Sequence, residues 1–586
     1  MKIKILALLM ILVCSFFVFP TETMKYSELK VGMEGIGKTI FHGTDIETFK
    51  FKILGFLKNF SPDKNLIIAE LISPELKEIG VISGMSGSPL YINGKVIGAV
   101  SYGFNYSKKA IAGITPIEDI INVSKYDIPV FSIDVSDIKV EFNKKNYLRI
   151  SSFIRNELER RMTYSSNRSF LPIKLYSSSR GIHKSVGQNL LSPLFAPSGN
   201  ITLTNSNVLK SGKISKVQSA GAVAITLING DFEYSASGTI SYIDGKKIYL
   251  FGHPFYNLGS VNFPLHKAEV VSVVPSYQSS FRLSVSKEMI GTVTQDRFSA
   301  VYGELGKFPE MIPLSIFFKN RNRKFSVKMV EHPLLTPALT QISVSNIFQT
   351  EIQQYGFNTI RIRGKIFIEN EKNIIINDMY SGGNAYTEFS DLLMSINFFL
   401  LNNREKRVKI QKMDFDFESS ETIKRGVISN VLINKKSYSS GELIVLKIFT
   451  KNERGKTVKD EIKIKAPNLK PGSTFKILIG DKSVIGKFER KNIKSSFFPI
   501  KLSSLIRAIN NLRKNNRIYI KLITPEKGMF LKGYEYSNLP SGIMNVFRSG
   551  SGSKSLIKYS TIKEYQMEVP TVIKGEKVFT LKIKEE

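Results

Sequence analysis

Gly84-Met85-Ser86-Gly87-Ser88-Pro89, followed by Leu90-Tyr91-Ile92, the pair Asn93-Gly94 and the run Lys95 to Phe104, decides how this chain is read. Asn-Gly between alternating apolar runs predicts a tight β-hairpin, so Ser86 stands just before the hairpin's first strand. Gly84 can take a backbone conformation closed to other residues, which lets successive N–H groups turn toward one point. A serine placed beside converging donors is the raw material of nucleophilic catalysis; a glycine-rich turn with no chemistry is the plainer alternative.

A serine hydroxyl needs a base, and the chain has 5 histidines. His253 stands in Gly252-His253-Pro254 at the end of Lys246 to Phe251, the second strand of another hairpin whose turn is Asp244-Gly245. One hairpin thus ends at the base and the other begins at the nucleophile. That arrangement suits two β-barrels facing each other across a cleft, each giving one residue to a shared site. A turn histidine bonded to backbone is the alternative for His253 alone. His42 lies in a turn setting, His183 in an irregular stretch, and His266 and His332 close to prolines. No two histidines have metal-ligand spacing, so neither a metal nor a cofactor is expected.

Working outward, residues 28–125 read as one β lobe carrying the serine motif and 216–330 as a second carrying the histidine motif. Residues 126–215 are serine-rich and irregular, a connector or insertion with one helix expected over Ser152 to Met162. Beyond them, 331–405 reads as a mixed α/β segment with a helix over Asp391 to Asn402, 406–490 as a β-sandwich-like domain, and 491–586 as an α+β segment. The expected sandwich strands include Ile410 to Phe417, Gly426 to Ile433 and Leu443 to Thr450.

The first 23 residues read as a signal peptide: Met-Lys-Ile-Lys, an apolar run from Ile5 to Phe19, then Pro20 and a polar stretch. The run is shorter than the roughly 18 residues that span a bilayer, so the protein is expected to be exported, to a periplasmic, envelope-associated or extracellular place. Cys14, the single cysteine, lies inside that run, which excludes disulfides and a thiol nucleophile from the mature chain. The net charge of +33 is spread along the whole length, often with Glu or Asp nearby. No flanking base-stacking aromatic platform accompanies the basic clusters, so nucleic acid is not expected as a partner. An anionic cell-envelope surface suits the charge better, as does a solvated lysine-rich face.

At these motifs the chain resembles the SpoIVB-type serine peptidases, a trypsin-like family. The resemblance covers Thr39 to Gly103, with the Gly-Met-Ser-Gly-Ser-Pro motif, and about Ala236 to Leu305, with Ser237-Gly238-Thr239, Phe251-Gly252-His253 and Gly303-Glu304-Leu305. It implies a mostly β fold, a trypsin-like double β-barrel with β-sandwich-like accessory domains behind it. It also implies a serine endopeptidase acting on protein or peptide, with Ser86 as nucleophile, His253 as base, and the N–H groups of Gly84 and Ser86 as the oxyanion hole. The chain departs from the family in order, the serine block preceding the histidine block as a circular permutation would leave them. It departs also at the acid, whose matching place before Pro74 is Ser73. Asp296 or Asp231 could replace that acid, or a backbone or hydroxyl group could orient the imidazole instead. The rival reading is a catalytically inactive envelope protein that keeps the fold for binding.

Overall fold

In the computed structural model the described residues are 21–585, except 105, 127–131, 163–170, 174, 192–201, 205–215, 278, 357–358, 493–500, 526–527, 532–533, 537–541 and 544–553. The leader reading lies outside them up to residue 20, as does much of the connector beyond residue 162. The chain divides into two compact units: residues 1–133, 151–312 and 327–339 form the first, and 134–150, 313–326 and 340–586 the second. Residues 134–150, inside the expected connector, therefore belong with the C-terminal half.

The first unit contains two six-stranded barrels, the trypsin-like architecture that the motifs imply. In the serine barrel β1 (Glu34–Thr39), β2 (Glu47–Ser61), β3 (Lys64–Ile72), β4 (Pro89–Ile92), β5 (Lys95–Gly103) and β6 (Ile111–Pro116) pair in the order β4-β1-β2-β3-β6-β5. The β4–β5 hairpin closes the ring. Asn93 and Gly94 at its tip have φ of 48° and 79°, the two positive values that a two-residue hairpin turn requires. Alternation along β2 turns Phe49, Phe51 and Ile53 inward and Lys50 and Lys52 outward. These rings pack with Ile67, Leu71, Leu90, Ile97, Val100 and Ile114 into one core that also takes in Ile82 and Met85 from the serine loop.

The histidine barrel is built from β7 (Ala222–Gly230), β8 (Glu233–Asp244), β9 (Lys247–Leu250), β10 (Gly259–Val274), β11 (Phe281–Arg297) and β12 (Ala300–Leu305). Its ring runs β7-β10-β11-β12-β9-β8 and closes between β8 and β7. Two apolar clusters join the barrels. Val96, Ala99, Ile117 and Ile120 meet Tyr242, Tyr249, Ala300 and Tyr302 on one side, and Ile40 meets Ala222, Ala224, Ala268 and Val270 on the other. Backbone bridges at Gly43–Val270 and Ser83–Phe281 add main-chain hydrogen bonds across the same seam.

In the second unit a four-stranded and a five-stranded sheet share one core, Ile444, Leu446 and Ile448 of one facing Phe475, Ile477 and Ile520 of the other. The same core takes Ile518, Ile573 and Leu581, so the sandwich runs past the expected 406–490 into the segment read as a separate α+β part; of the expected strands, those over Arg425–Ile433 and Leu443–Asn452 belong to it, while Ile410–Ser420 pairs outside the two sandwich sheets. The helix expected over 391–402 runs from Ala385 to Leu401, and that expected over 152–162 from Lys144 to Met162. A further helix, Leu335–Tyr355, had no sequence signal.

Phe51 is 1% exposed at the centre of the serine barrel. Phe51→Ala should destabilise that barrel by about 3–5 kcal/mol, read as a lowered denaturation midpoint; an unchanged midpoint would mean the barrel is not packed around this ring.

Candidate active site

Two tandem β-turns shape the serine loop. The Met85 N–H donates to the Ile82 carbonyl at 3.1 Å and the Ser88 N–H to the Met85 carbonyl at 3.0 Å. Gly84 and Gly87 hold the third position of each turn, both at φ 94°, where a turn of this kind needs positive φ. Gly87 meets a second demand: a Cβ there would lie 2.1 Å from the Thr239 carbonyl oxygen and 2.7 Å from the Phe251 nitrogen. Both are backbone atoms of the histidine barrel and cannot move aside. The Thr239 N–H then donates to the Ser86 carbonyl at 2.9 Å, and the Gly87 N–H to the Val100 carbonyl at 2.7 Å.

On the facing side, Phe251 is fully buried at φ 70°, a left-handed conformation that costs a bulky residue about 1–3 kcal/mol. It turns the chain out of β9 into Gly252 and His253, and the Thr115 hydroxyl of the serine barrel fixes the Gly252 carbonyl at 2.7 Å. The His253 Nδ1 lies 2.8 Å from the Pro254 carbonyl oxygen. A carbonyl only accepts, so Nδ1 carries the proton and the lone pair is left on Nε2, the tautomer a general base needs. Burial pulls the ring's pKa down to about 4, against the opposing pull of the Pro254 and Ile173 carbonyls.

Ser86 and His253 are brought to one seam between the barrels, both buried, at 0% and 2% exposure. The Ser86 hydroxyl and His253 Nε2 make no hydrogen bond to each other among the described residues. The N–H groups of Gly84 and Ser86 likewise donate to no acceptor there.

Asp296 has another place than the one expected for a triad acid. Its Oδ1 accepts from the Phe255 N–H at 2.7 Å, and its Oδ2 from the Tyr256 and Leu258 N–H groups at 2.8 and 3.1 Å. The carboxylate thus ties down the loop after His253 and does not touch the imidazole, whose Nδ1 is taken by Pro254. Burial raises its pKa while the three N–H donors hold it back. Asp231 is exposed in the turn between β7 and β8. The group that orients the ring is a backbone carbonyl, the alternative left open by the motifs.

Arg282 carries no local motif, yet it is buried against the serine loop. The one hint is its strand, Phe281-Arg282-Leu283-Ser284-Val285-Ser286, where a long cation shares a face with small serines. The other buried histidines are occupied: His266 Nδ1 pairs with the Thr226 hydroxyl at 3.0 Å, and His332 Nδ1 accepts from the Leu334 and Leu335 N–H groups. Among the described residues no cluster of His, Cys, Asp or Glu is placed to hold a metal ion.

Facing six-stranded barrels, one presenting a serine in a glycine-bounded turn and the other a histidine, are the arrangement of a trypsin-like fold. A family model described as SpoIVB peptidase S55 matches residues 19–118. That segment spans the whole serine barrel, so the serine half has the SpoIVB-type pattern. The match stops before His253, and the order of the two blocks rests on the motifs alone. Searches of curated proteins and of solved structures gave no match.

Asp296→Asn should lower stability by roughly 2–3 kcal/mol, since three charge-assisted N–H bonds weaken, while the Nδ1-protonated tautomer persists. Nitrogen NMR of the His253 ring would check it; a change of tautomer would return Asp296 to the role of orienting acid.

Proposed function

We propose that this chain is an exported serine endopeptidase that cleaves peptide bonds through an acyl-enzyme. Ser86 Oγ attacks the scissile carbonyl carbon and His253 Nε2 takes its proton. The imidazolium gives that proton to the leaving amine as the C–N bond breaks, and water then hydrolyses the ester by the same route. The oxyanion falls to the Gly84 and Ser86 N–H groups, each worth on the order of 3 kcal/mol in the transition state. One observation carries this reading: the hydroxyl, the imidazole nitrogen and the two N–H groups such a reaction uses are left unbonded, while the loop around them is held by hydrogen bonds.

Because Ser86 and His253 are buried, a peptide reaches them only when the seam opens. A cleft of about 600 Å³, lined by Gly80, Val81, Phe104, Ser279 and Ser280 among others, adjoins the serine loop, and the Ser83 N–H donates to the Ser280 carbonyl at its edge. We take this as the approach for an extended chain, with the protein's own residues 126–215 as a first substrate. Export rests on the leader pattern. The Val96 N–H donates to the Glu22 carbonyl and the Met24 N–H to the Val96 carbonyl, both at 2.9 Å; Glu22 lies within the 23 residues read as leader, so a cut ahead of it keeps both bonds and a cut after residue 23 loses the first. Contact with an anionic envelope surface rests on the net charge of +33.

A fluorophosphonate probe should label the protein and fail to label Ser86→Ala; equal labelling of both would leave an inactive, binding-only protein as the better account. The labelling rate should also follow the neutral form of His253. A ring with a lowered pKa keeps its lone pair at neutral pH, so the rate should hold from neutral pH to near 5 and be half lost near pH 4. Stability shares the sign: the unfolded ring takes a proton near pH 6.5, so the folded state loses stability as pH falls from there through about 4. A rate half lost near pH 6.5 would show the reactive ring to be solvated.

A further inference from the structure

Arg282 reaches from β11 into the seam and is 1% exposed. Its Nη1 donates to the Gly84 carbonyl at 2.9 Å and to Thr239 Oγ1 at 3.0 Å, and that hydroxyl donates to the same carbonyl at 3.1 Å. Its Nη2 donates to Thr39 Oγ1. A guanidinium has no acceptor, so Thr39 turns its proton toward Ser88 Oγ, 2.7 Å away, and Ser88 donates to the Met85 carbonyl at 2.6 Å. The relay therefore has one direction from the cation to Met85. The main-chain N–H of Arg282 completes the set, donating to the Ser83 carbonyl at 3.0 Å.

These acceptors bear on the oxyanion donors through peptide geometry. A trans peptide is planar, and its N–H and C=O point in opposite directions. The Ser83 carbonyl shares a plane with the Gly84 N–H, and the Met85 carbonyl with the Ser86 N–H. Holding the two oxygens aims the two N–H groups, and donation to a carbonyl strengthens its own N–H as a donor. The line to Ser83 begins at the main-chain N–H of Arg282, which any residue there but proline would keep, and the line to Met85 begins at its guanidinium.

The charge itself is unbalanced. No carboxylate lies within ion-pair distance of the guanidinium among the described residues; Glu47 exerts a Coulombic pull from farther off while accepting the Phe41 N–H at 3.3 Å. Desolvation lowers the arginine's pKa to about 9, so the cation persists at neutral pH. Burying an unpaired cation is costly, and a cation placed behind two donors favours any negative charge that forms in front of them.

We propose that Arg282 is the positioning residue of the oxyanion hole, its guanidinium aligning the Ser86 N–H through the Met85 carbonyl and supplying the positive charge that the tetrahedral oxyanion balances. The proposal rests on the peptidase reading of the same site. The histidine barrel then contributes the base and also the alignment of the donors on the opposite barrel.

The test uses the full chain with Arg282→Met, which keeps the aliphatic stem and removes the charge, and with Arg282→Lys and Thr39→Val. Fluorophosphonate labelling of Arg282→Met should slow by roughly 100-fold, with the half-rate pH of His253 unmoved and the affinity for phenylboronic acid, which becomes a tetrahedral anion on Ser86, falling in parallel. Arg282→Lys should regain part of the rate through its charge. Thr39→Val, which cuts the relay, should slow labelling by roughly 10-fold, and it decides the matter if Arg282→Met does not fold. Wild-type rates in Arg282→Met, or a loss that comes with a His253 half-rate pH moved toward 6.5, would overturn the proposal and leave Arg282 as a link between barrels. Failure of the unaltered protein to label, or labelling that survives Ser86→Ala, strikes the peptidase reading itself and removes this proposal with it.

Discussion

The contact between Gly87 and the main chain at Thr239 and Phe251 is the constraint on which the site depends. No side chain fits between these backbones, so the turn that presents Ser86 and the strand end that presents His253 meet main chain against main chain. Side-chain packing can relax around a lost methylene, but two backbones already in contact cannot. The register of the seam follows: Ser86 takes the Thr239 N–H, Gly252 takes the Thr115 hydroxyl, and the catalytic candidates are set by main-chain bonds made on either side of them.

Polar groups around this contact are divided unevenly. Asp296 spends its whole carboxylate on three N–H groups of the loop after His253, and Pro254 lends a neutral carbonyl where a triad has an acid. The imidazole therefore has the right tautomer with no anion behind it, in a site whose fixed charge is the buried cation of Arg282 on the serine side. Phe251 in a left-handed conformation stores backbone strain at the same spot, while Gly84 and Gly87 take their positive φ without it, and such strain is common where geometry serves chemistry.

Much of this was readable where the determining chemistry is local. Asn93-Gly94 and Asp244-Gly245 fix hairpins through their own turn preferences, and Gly84 and Gly87 flank a serine that needs sharp turns, so both hairpins and the β character of the two lobes followed from short stretches. Asp296 was visible as an acid in the histidine block, but its task depends on β10 and β11 pairing Gly259 opposite Asp296, which no spacing reveals. Arg282 meets Gly84 and Thr39, 198 and 243 positions away, and a lone cation in a strand gives no hint of such partners. Helix Leu335–Tyr355 escaped for another reason. From Leu335 to Phe348 it is buried on every side, so its apolar residues show no stripe to detect.

The order of the two barrels along the chain also governs when the site comes into being. Everything needed to close the serine barrel has been synthesised by Pro116, whereas the strand that carries Arg282 and Asp296 ends at Arg297. At ribosomal speeds of about 5–20 residues per second, the nucleophile's half waits on the order of ten to forty seconds for its counterpart. Until that strand exists the guanidinium relay behind Met85 and the carboxylate that ties down the loop after His253 are both missing, so the serine turn is complete in sequence well before the groups that would equip it.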